Sequence, residues 1–252
     1  MSTGRGERVV VITGASGGIG AAAAREIGTR GHAVVLAARR AGALQEVAAR
    51  CGERALAVVA DLEVRQESAR LLEAALARFG RVDAWINNVG RGITRNPSQL
   101  TDADVDLMMR VNVLSALYGM QAVVPYFQSR GTGHLITISS MLGRIPSAVH
   151  RSAYGAAKHF LNSLVINYRM EVQATHPEVQ FSLVSPGVVR TDFGRNAVHG
   201  GPDSWSIPDS QGDAEVAVVI ADLLDSRRPD VYTRPGSRDR VIRYFSEHGE
   251  DP

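Results

Sequence analysis

At 252 residues the chain is long enough for one large domain or two small ones. Its 44% apolar and 21% charged residues, net charge of +2 and single cysteine are those of a globular protein; they exclude disorder, collagen, an intrachain disulfide and a thiolate-held metal cluster. No uninterrupted apolar run reaches the ~18 residues of a spanning helix, and well-mixed charges with 6% aromatics give the expectation of no membrane and no nucleic-acid partner.

The first predicted strand, Val9–Thr13, follows residues 1–5 with no apolar leader before it, so a cytoplasmic protein is expected. Short β-branched runs recur at Ala33–Ala38, 55–60, 83–88, 134–139, Val179–Ser185 and 230–233. Most are apolar on both alternating faces, as strands covered by helices on two sides must be. Helical spacing fills the stretches between them at 19–30, 42–50 and 66–79. Asp102–Arg130 reads as two helices or one bent one, and 152–175 as a long helix ended before Pro177. This alternation predicts an α/β fold: a Rossmann-type doubly wound parallel sheet of about seven strands with helices on both faces, in one domain over 1–252. Residues 190–212, with Gly200-Gly201-Pro202 and Pro208, form a long loop. Phe193, Trp205 and Ile207 within it give the expectation of an apolar inner side closing over a substrate pocket. The C-terminal arginines, Arg227 to Arg243, are interrupted by Asp230 and Asp239 and read as solvated surface.

The first strand runs into Thr13-Gly14-Ala15-Ser16-Gly17-Gly18-Ile19-Gly20 and then a helix. Glycines there allow a sharp turn and bring backbone N–H groups to a pyrophosphate at the helix N-terminus. The spacing is G-x-x-x-G-x-G rather than G-x-G-x-x-G, and no Lys-Ser/Thr follows as a Walker loop would require. The second strand ends Ala37-Ala38-Arg39-Arg40, with no carboxylate before Glu46 to hold a ribose 2′-hydroxyl. Two guanidiniums suit a 2′-phosphate instead, so NADP(H) is preferred and NAD(H) possible; the alternative is a pair of surface arginines. Arg39 is the expected main contact and Arg40 the second.

Of 28 basic residues, 27 are arginine, and the lone lysine is Lys158. It stands four residues after Tyr154, on one face of the long helix. A free phenol, with a pKa of ~10, is a poor base near neutrality; a nearby ammonium is expected to lower that value toward a useful general acid/base. His150 and His159 flank the pair without partners at metal-ligand spacing, so no metal site is expected.

Five motifs in order make the chain similar to the short-chain dehydrogenase/reductase family, the branch of ~250-residue single domains. They are the turn 13–20, Asn87-Asn88-Val89-Gly90, Asn112 in Val111-Asn112-Val113, Ser140 with Tyr154 and Lys158, and Pro186-Gly187-Val188-Val189-Arg190-Thr191. The resemblance implies a catalytic tetrad of Asn112, Ser140, Tyr154 and Lys158. Tyr154 would give a proton to a carbonyl oxygen, Ser140 would hydrogen-bond that oxygen, Lys158 would bind the nicotinamide ribose, and Asn112 would hold a water in a relay. Cofactor contacts would come from Gly14, Ser16, Gly17, Gly18, Ile19, Gly20, Arg39, Arg40, Asp61, Leu62, Asn88, Tyr154, Lys158, Val189 and Thr191. Asn88 and Asn112 have an alternative use in satisfying buried backbone, and Ser139 competes with Ser140. Two departures stand out: Val89 replaces the family's usual Ala, and Ser140 to Tyr154 is one residue longer than usual, so the intervening loop must bulge. The family reading implies hydride transfer between a ketone or aldehyde and its alcohol, a small-molecule substrate, and homodimers or homotetramers paired through 102–130 and 152–175. A catalytically idle dinucleotide-binding regulator is the alternative; an epimerase of the extended branch would need a C-terminal substrate domain that this length does not hold.

Overall fold

The computed structural model describes residues 6–249. Its seven strands, β1 (Val9–Thr13), β2 (Ala33–Ala38), β3 (Ala55–Val59), β4 (Ala84–Asn87), β5 (Gly133–Ile138), β6 (Val179–Ser185) and β7 (Asp230–Tyr232), form one all-parallel sheet in the order β3-β2-β1-β4-β5-β6-β7. The helices are α1 (Gly18–Thr29), α2 (Ala41–Ala49), α3 (Arg65–Phe79), α4 (Asp102–Met109), α5 (Ser115–Arg130), α6 (Ser152–Gln173), α7 (Asp213–Ser226) and α8 (Ser237–His248). Side chains that alternate along β1 go to opposite layers, as the period of two requires. Val10 and Ile12 join Ile27 of α1, Leu44 of α2 and Ile220 of α7. Val9 and Val11 join Leu71 of α3, Phe127 of α5 and Leu161 of α6. The sheet is therefore covered on both faces, the Rossmann-type doubly wound arrangement expected from the sequence.

Two helices were not expected from the sequence, and the bend in the expected helical stretch over 102–130 has a physical cause. The helices α7 and α8 follow the long loop where only a strand and a solvated surface were expected. The first has its signature in Asp213 and Glu215 followed by Val216, Ile220, Leu223 and Leu224 on one buried stripe; α8 fully buries none of its residues, and the arginines interleaved with Val241, Ile242, Tyr244 and Phe245 give it the look of a solvated surface. Asp102–Arg130 is one joined helix of 29 residues, long and apolar enough in composition to cross a membrane, which a search for uninterrupted apolar runs overlooks. Its apolar residues serve the core instead: Met108, Val113, Met120, Val123 and Phe127 are all buried. The bend is a π turn over Arg110–Leu114, where the Ser115 N–H reaches the Arg110 carbonyl five residues back. The extra residue bulges Asn112 inward.

One histidine tests how dry this interior is. The Ser182 hydroxyl of β6 donates to Arg228 O at 2.6 Å, so its oxygen accepts from His134 Nε2 of β5 at 2.8 Å. That assigns the proton of the neutral ring to Nε2 and leaves Nδ1 buried without a partner. Burial, aided by the positive charges of Arg227 and Arg8, pushes its pKa down to about 3. The unfolded chain takes up this proton below pH 6.5 while the folded chain refuses it, so stability falls as the pH drops through that window. The loss is expected to be at most about 1.4 kcal/mol per pH unit. Chemical denaturation from pH 7 to pH 4 should give a distinctly flatter profile for His134→Gln, which cannot titrate, than for the wild type.

Candidate active site

After β1 the connections run toward β2 and β3, and after β4 they run the other way toward β7. Between β1 and β4 the two directions part and leave a crevice at the carboxyl ends of the strands. Two adjoining cavities open there, of about 760 Å³ and about 620 Å³, sharing Gly14, Gly17, Arg40, Gly90 and Asn196 in their walls.

The glycine turn forms the floor. Gly14 adopts φ 66°, a left-handed conformation, and the Asn88 side-chain amide beneath it donates to Thr13 O at 3.0 Å and Gly14 O at 3.2 Å. A Cβ on Gly20 would overlap that amide nitrogen and lie 2.6 Å from Gly14 O, so only glycine lets α1 begin this close to β4. Gly17, Gly18 and Ile19 border the larger cavity, and no side chain caps α1, so its first N–H groups point into the crevice unsatisfied.

At the far end, the Arg40 guanidinium donates to Ser16 Oγ and Ser16 O at 3.2 Å, lying across the turn. Arg39 is 61% exposed and already paired, with Glu63 at 2.9 Å and Asp61 at 4.0 Å. Asp61 in turn accepts from the Glu63 N–H at 3.1 Å, and Leu62 is buried along the wall of the smaller cavity.

Asn112 is fully buried and bonded on both sides: Oδ1 accepts from Arg91 N, and Nδ2 donates to Arg91 O and Met108 O, at 3.0–3.1 Å. It clamps the chain beyond β4 and borders neither cavity. Asn88 likewise serves buried backbone, while also lining the larger cavity.

Helix α6 presents Tyr154 and Lys158 to the larger cavity, with Ser140 beside them. The Lys158 ammonium donates to Ile138 O at 3.0 Å and lies 5.8 Å from the Tyr154 ring centre. Burial lowers its pKa to about 8. Burial also raises the Tyr154 phenol to about 12, against the opposing effects of a hydrogen bond with Ser140 and the positive charge of Arg151. The expected depression of the phenol by Lys158 is thus reversed here: desolvation dominates, and the ammonium is turned to a carbonyl. Of the two serines, Ser139 is committed elsewhere, donating to Asn162 Oδ1 at 2.5 Å, while Asn162 Nδ2 donates to Gly143 O at 2.6 Å. Ser140 Oγ accepts only from Leu142 N in its own chain segment and stays beside Tyr154. The extra residue between Ser140 and Tyr154 is taken up in two 3₁₀ turns, Met141–Gly143 and Val149–Arg151. His150 is exposed and His159 bonds Gly155 O within the helix.

Across the cavity, Val189 and Thr191 line the wall, with the Thr191 methyl next to Gly18. From the long loop, Phe193 packs edge-on to Tyr154 at 5.3 Å between ring centres, and Ile207 borders the cavity. Trp205 does not: it is 60% exposed and outside the lining, because its N–H and the adjoining turn are held by Asp203. The sequence reading also missed Arg151, a buried guanidinium in the wall. Its position three residues before Tyr154 was the available signal.

The matching family model, short chain dehydrogenase, covers residues 8–200. The chain belongs to the short-chain dehydrogenase family. An uncharacterised oxidoreductase of Staphylococcus epidermidis is 33% identical over 197 residues, 75% of this chain and 83% of its own. A short-chain dehydrogenase/reductase from Burkholderia phymatum solved with NAD superposes with a TM-score of 0.85 at 25% identity, covering 98% of this chain and 97% of that one. One from Sphingobium yanoikuyae solved with NADPH gives 0.79 at 27% identity, covering 97% and 96%. As a short-chain dehydrogenase the chain is a nicotinamide-dependent oxidoreductase, and its crevice fits such a cofactor. The glycine floor leaves room for a backbone-hugging pyrophosphate, uncapped amides face it, and arginines stand at one end with a tyrosine and a lysine at the other.

Gly20→Ala should expose how tightly this dehydrogenase floor is set. Overpacking against the Asn88 amide is expected to lower stability by about 1–3 kcal/mol and to weaken cofactor binding, both measurable by thermal unfolding with and without added NADPH.

Proposed function

We propose that the enzyme is an NADP-preferring oxidoreductase that interconverts a ketone or aldehyde with its alcohol, with Tyr154 as general acid/base. The observation that carries this reading is the group of half-buried Ser140 with buried Tyr154 and Lys158 at one end of a dinucleotide-shaped trough. When bound, the nicotinamide supplies or accepts the hydride. The chain's own residues do the rest. Tyr154, held protonated at neutral pH by burial, gives its proton to the substrate oxygen as charge develops there, and takes it back in the alcohol direction. Ser140 hydrogen-bonds the same oxygen. Lys158 holds the ribose next to the nicotinamide and, once turned from Ile138 O, favours the phenolate. Asn112 keeps Gly90 and Arg91 in place under the cofactor, and any water in the relay would lie behind it. Gly14, Ser16, Gly17, Gly18, Ile19 and Gly20 hold the pyrophosphate, Asp61, Leu62 and Asn88 the adenosine, and Val189 and Thr191 the carboxamide. The loop 190–212 covers the substrate through Phe193 and Ile207. Exposed Phe160 and Met170 on α6 support pairing into a homodimer or homotetramer, and a cytoplasmic setting fits an enzyme that draws on reduced cofactor.

Tyr154→Phe keeps ring and volume but removes the transferable proton, so NADPH oxidation with a panel of ketones should collapse while NADPH still binds; activity near wild type would refute the assignment. The kcat/KM profile reports groups of the free enzyme, so an alkaline limb near the Lys158 value of about 8 is expected, where the ammonium is lost. Lys158→Arg should lose most turnover, and the limb of what remains should move to higher pH, because a guanidinium keeps its charge.

Arg39 and Arg40 support the NADP preference through charge-assisted bonds of about 1.5–3 kcal/mol each, or roughly 10- to 150-fold for one arginine. Arg39→Ala should cost NADPH affinity on that order and spare NADH, and Ala38→Asp should reverse the preference. Because Glu63 competes for Arg39, Glu63→Gln should tighten NADPH. Fluorescence titration of both reduced cofactors reads all three, and a wild type that favours NADH would sink the assignment.

A further inference from the structure

Arg151 is 8% exposed and lines the larger cavity next to Tyr154. The hydrogen bond it makes is from Nη1 to Ile93 O at 3.2 Å, and none of the ion pairs among the described residues includes it. The carboxylates that share its cavity do not answer it: Asp192 is paired with Arg195 at 3.5 Å, and Asp209 stands beyond ion-pair distance. In a chain where almost every cation is arginine, the residue type means little, but its burial means a great deal. A guanidinium cannot neutralise itself by losing a proton, and an uncompensated buried charge lowers stability.

The surroundings are shaped to keep it there. A Cβ on Gly92 would lie 2.7 Å from Nη1, and a Cβ on Gly201 would lie 2.7 Å from Nη2. Two loops, one after β4 and one in 190–212, thus each yield a glycine to the same side chain. They are tied to each other by Thr94 N to Val198 O and Val198 N to Gly92 O, both 2.9 Å. Beside Gly201 the Thr94 hydroxyl is buried with no hydrogen-bond partner. An unpaired cationic fork therefore stands at the wall of the cavity, next to the tyrosine, with an orphaned hydroxyl buried nearby.

We propose that Arg151 recognises a carboxylate on the substrate, so that the carbonyl compound reduced here is an oxo acid. The planar fork matches a carboxylate with two parallel bonds. This rests on the carbonyl-reducing reading above for the identity of the reacting group, but not for the anion site. Beside the apolar side that Phe193 and Ile207 give the pocket, a fixed positive charge stands in the same wall.

Calorimetric titration of the protein loaded with oxidised NADP, using hexanoate and hexanamide as probes of equal size, tests the site without turnover. Hexanoate should bind at least about tenfold more tightly to the wild type and to Tyr154→Phe. Arg151→Met should erase the margin, and Arg151→Lys should keep part of it. Equal binding of the two probes by the wild type overturns the proposal whether or not any variant folds, as does an unchanged margin in Arg151→Met. In turnover, oxo acids should exceed their methyl esters in kcat/KM by about 30-fold or more. Acids and esters reduced alike would overturn the carboxylate site and leave the reaction standing. No reduction of either, with the hexanoate margin intact, would remove the reaction and uphold the site.

Discussion

The carboxyl end of the sheet depends on one side-chain amide. Asn88 donates to Thr13 O and Gly14 O, its own N–H goes to Thr13 Oγ1, and that hydroxyl donates on to Ile86 O. The tips of β1 and β4 are thereby laced together at the point where the fold divides, and the glycine turn has no freedom to drift. A few residues further on, Asn112 repeats the device on Arg91. Two amides in series, one half-buried and one buried, fix the floor of the trough between its arginines and its lysine.

Desolvation governs the chemistry along that floor. It raises Tyr154 and lowers Lys158, so both lean toward their neutral forms, and it does the same to His134 at the opposite end of the sheet. Arg151 has no such escape. Its charge acts on Tyr154 and reaches into the cavity, where an anion would settle it. The loop that carries Gly201 and Phe193 packs against both Arg151 and Tyr154, so its placement bears on the apolar and the charged side of the cavity together.

Much of this was legible in the sequence where periodicity is strong. The bounds of β1 and β2 follow directly from their apolar runs, because a strand buried on both faces reads as a near-continuous apolar stretch. The turn 13–20 and the Tyr154–Lys158 spacing are local, and the local geometry of a turn or a helix carries them intact into three dimensions. What escaped depends on distant partners. Nothing adjacent to Ser139 foretells Asn162, nothing near Arg39 foretells Glu63, and Trp205 looks like a pocket residue until Asp203 turns its segment outward. The sign of the Tyr154 shift was misjudged because spacing reports proximity to a cation but not the depth at which both groups are buried. Helix α8 escaped because its apolar residues, Val241, Ile242, Tyr244 and Phe245, are interleaved with the arginines that read as solvated surface.

The π turn at Arg110–Leu114 has a consequence for how such a chain can change over generations. Removing its one surplus residue would rotate everything beyond it by about 100° about the helix axis. Met120, Val123 and Phe127 would swing out of the core together, and Asn112 would lose Arg91. The insertion thus behaves as a ratchet: once the far half of the helix has packed to suit it, no single deletion leads back.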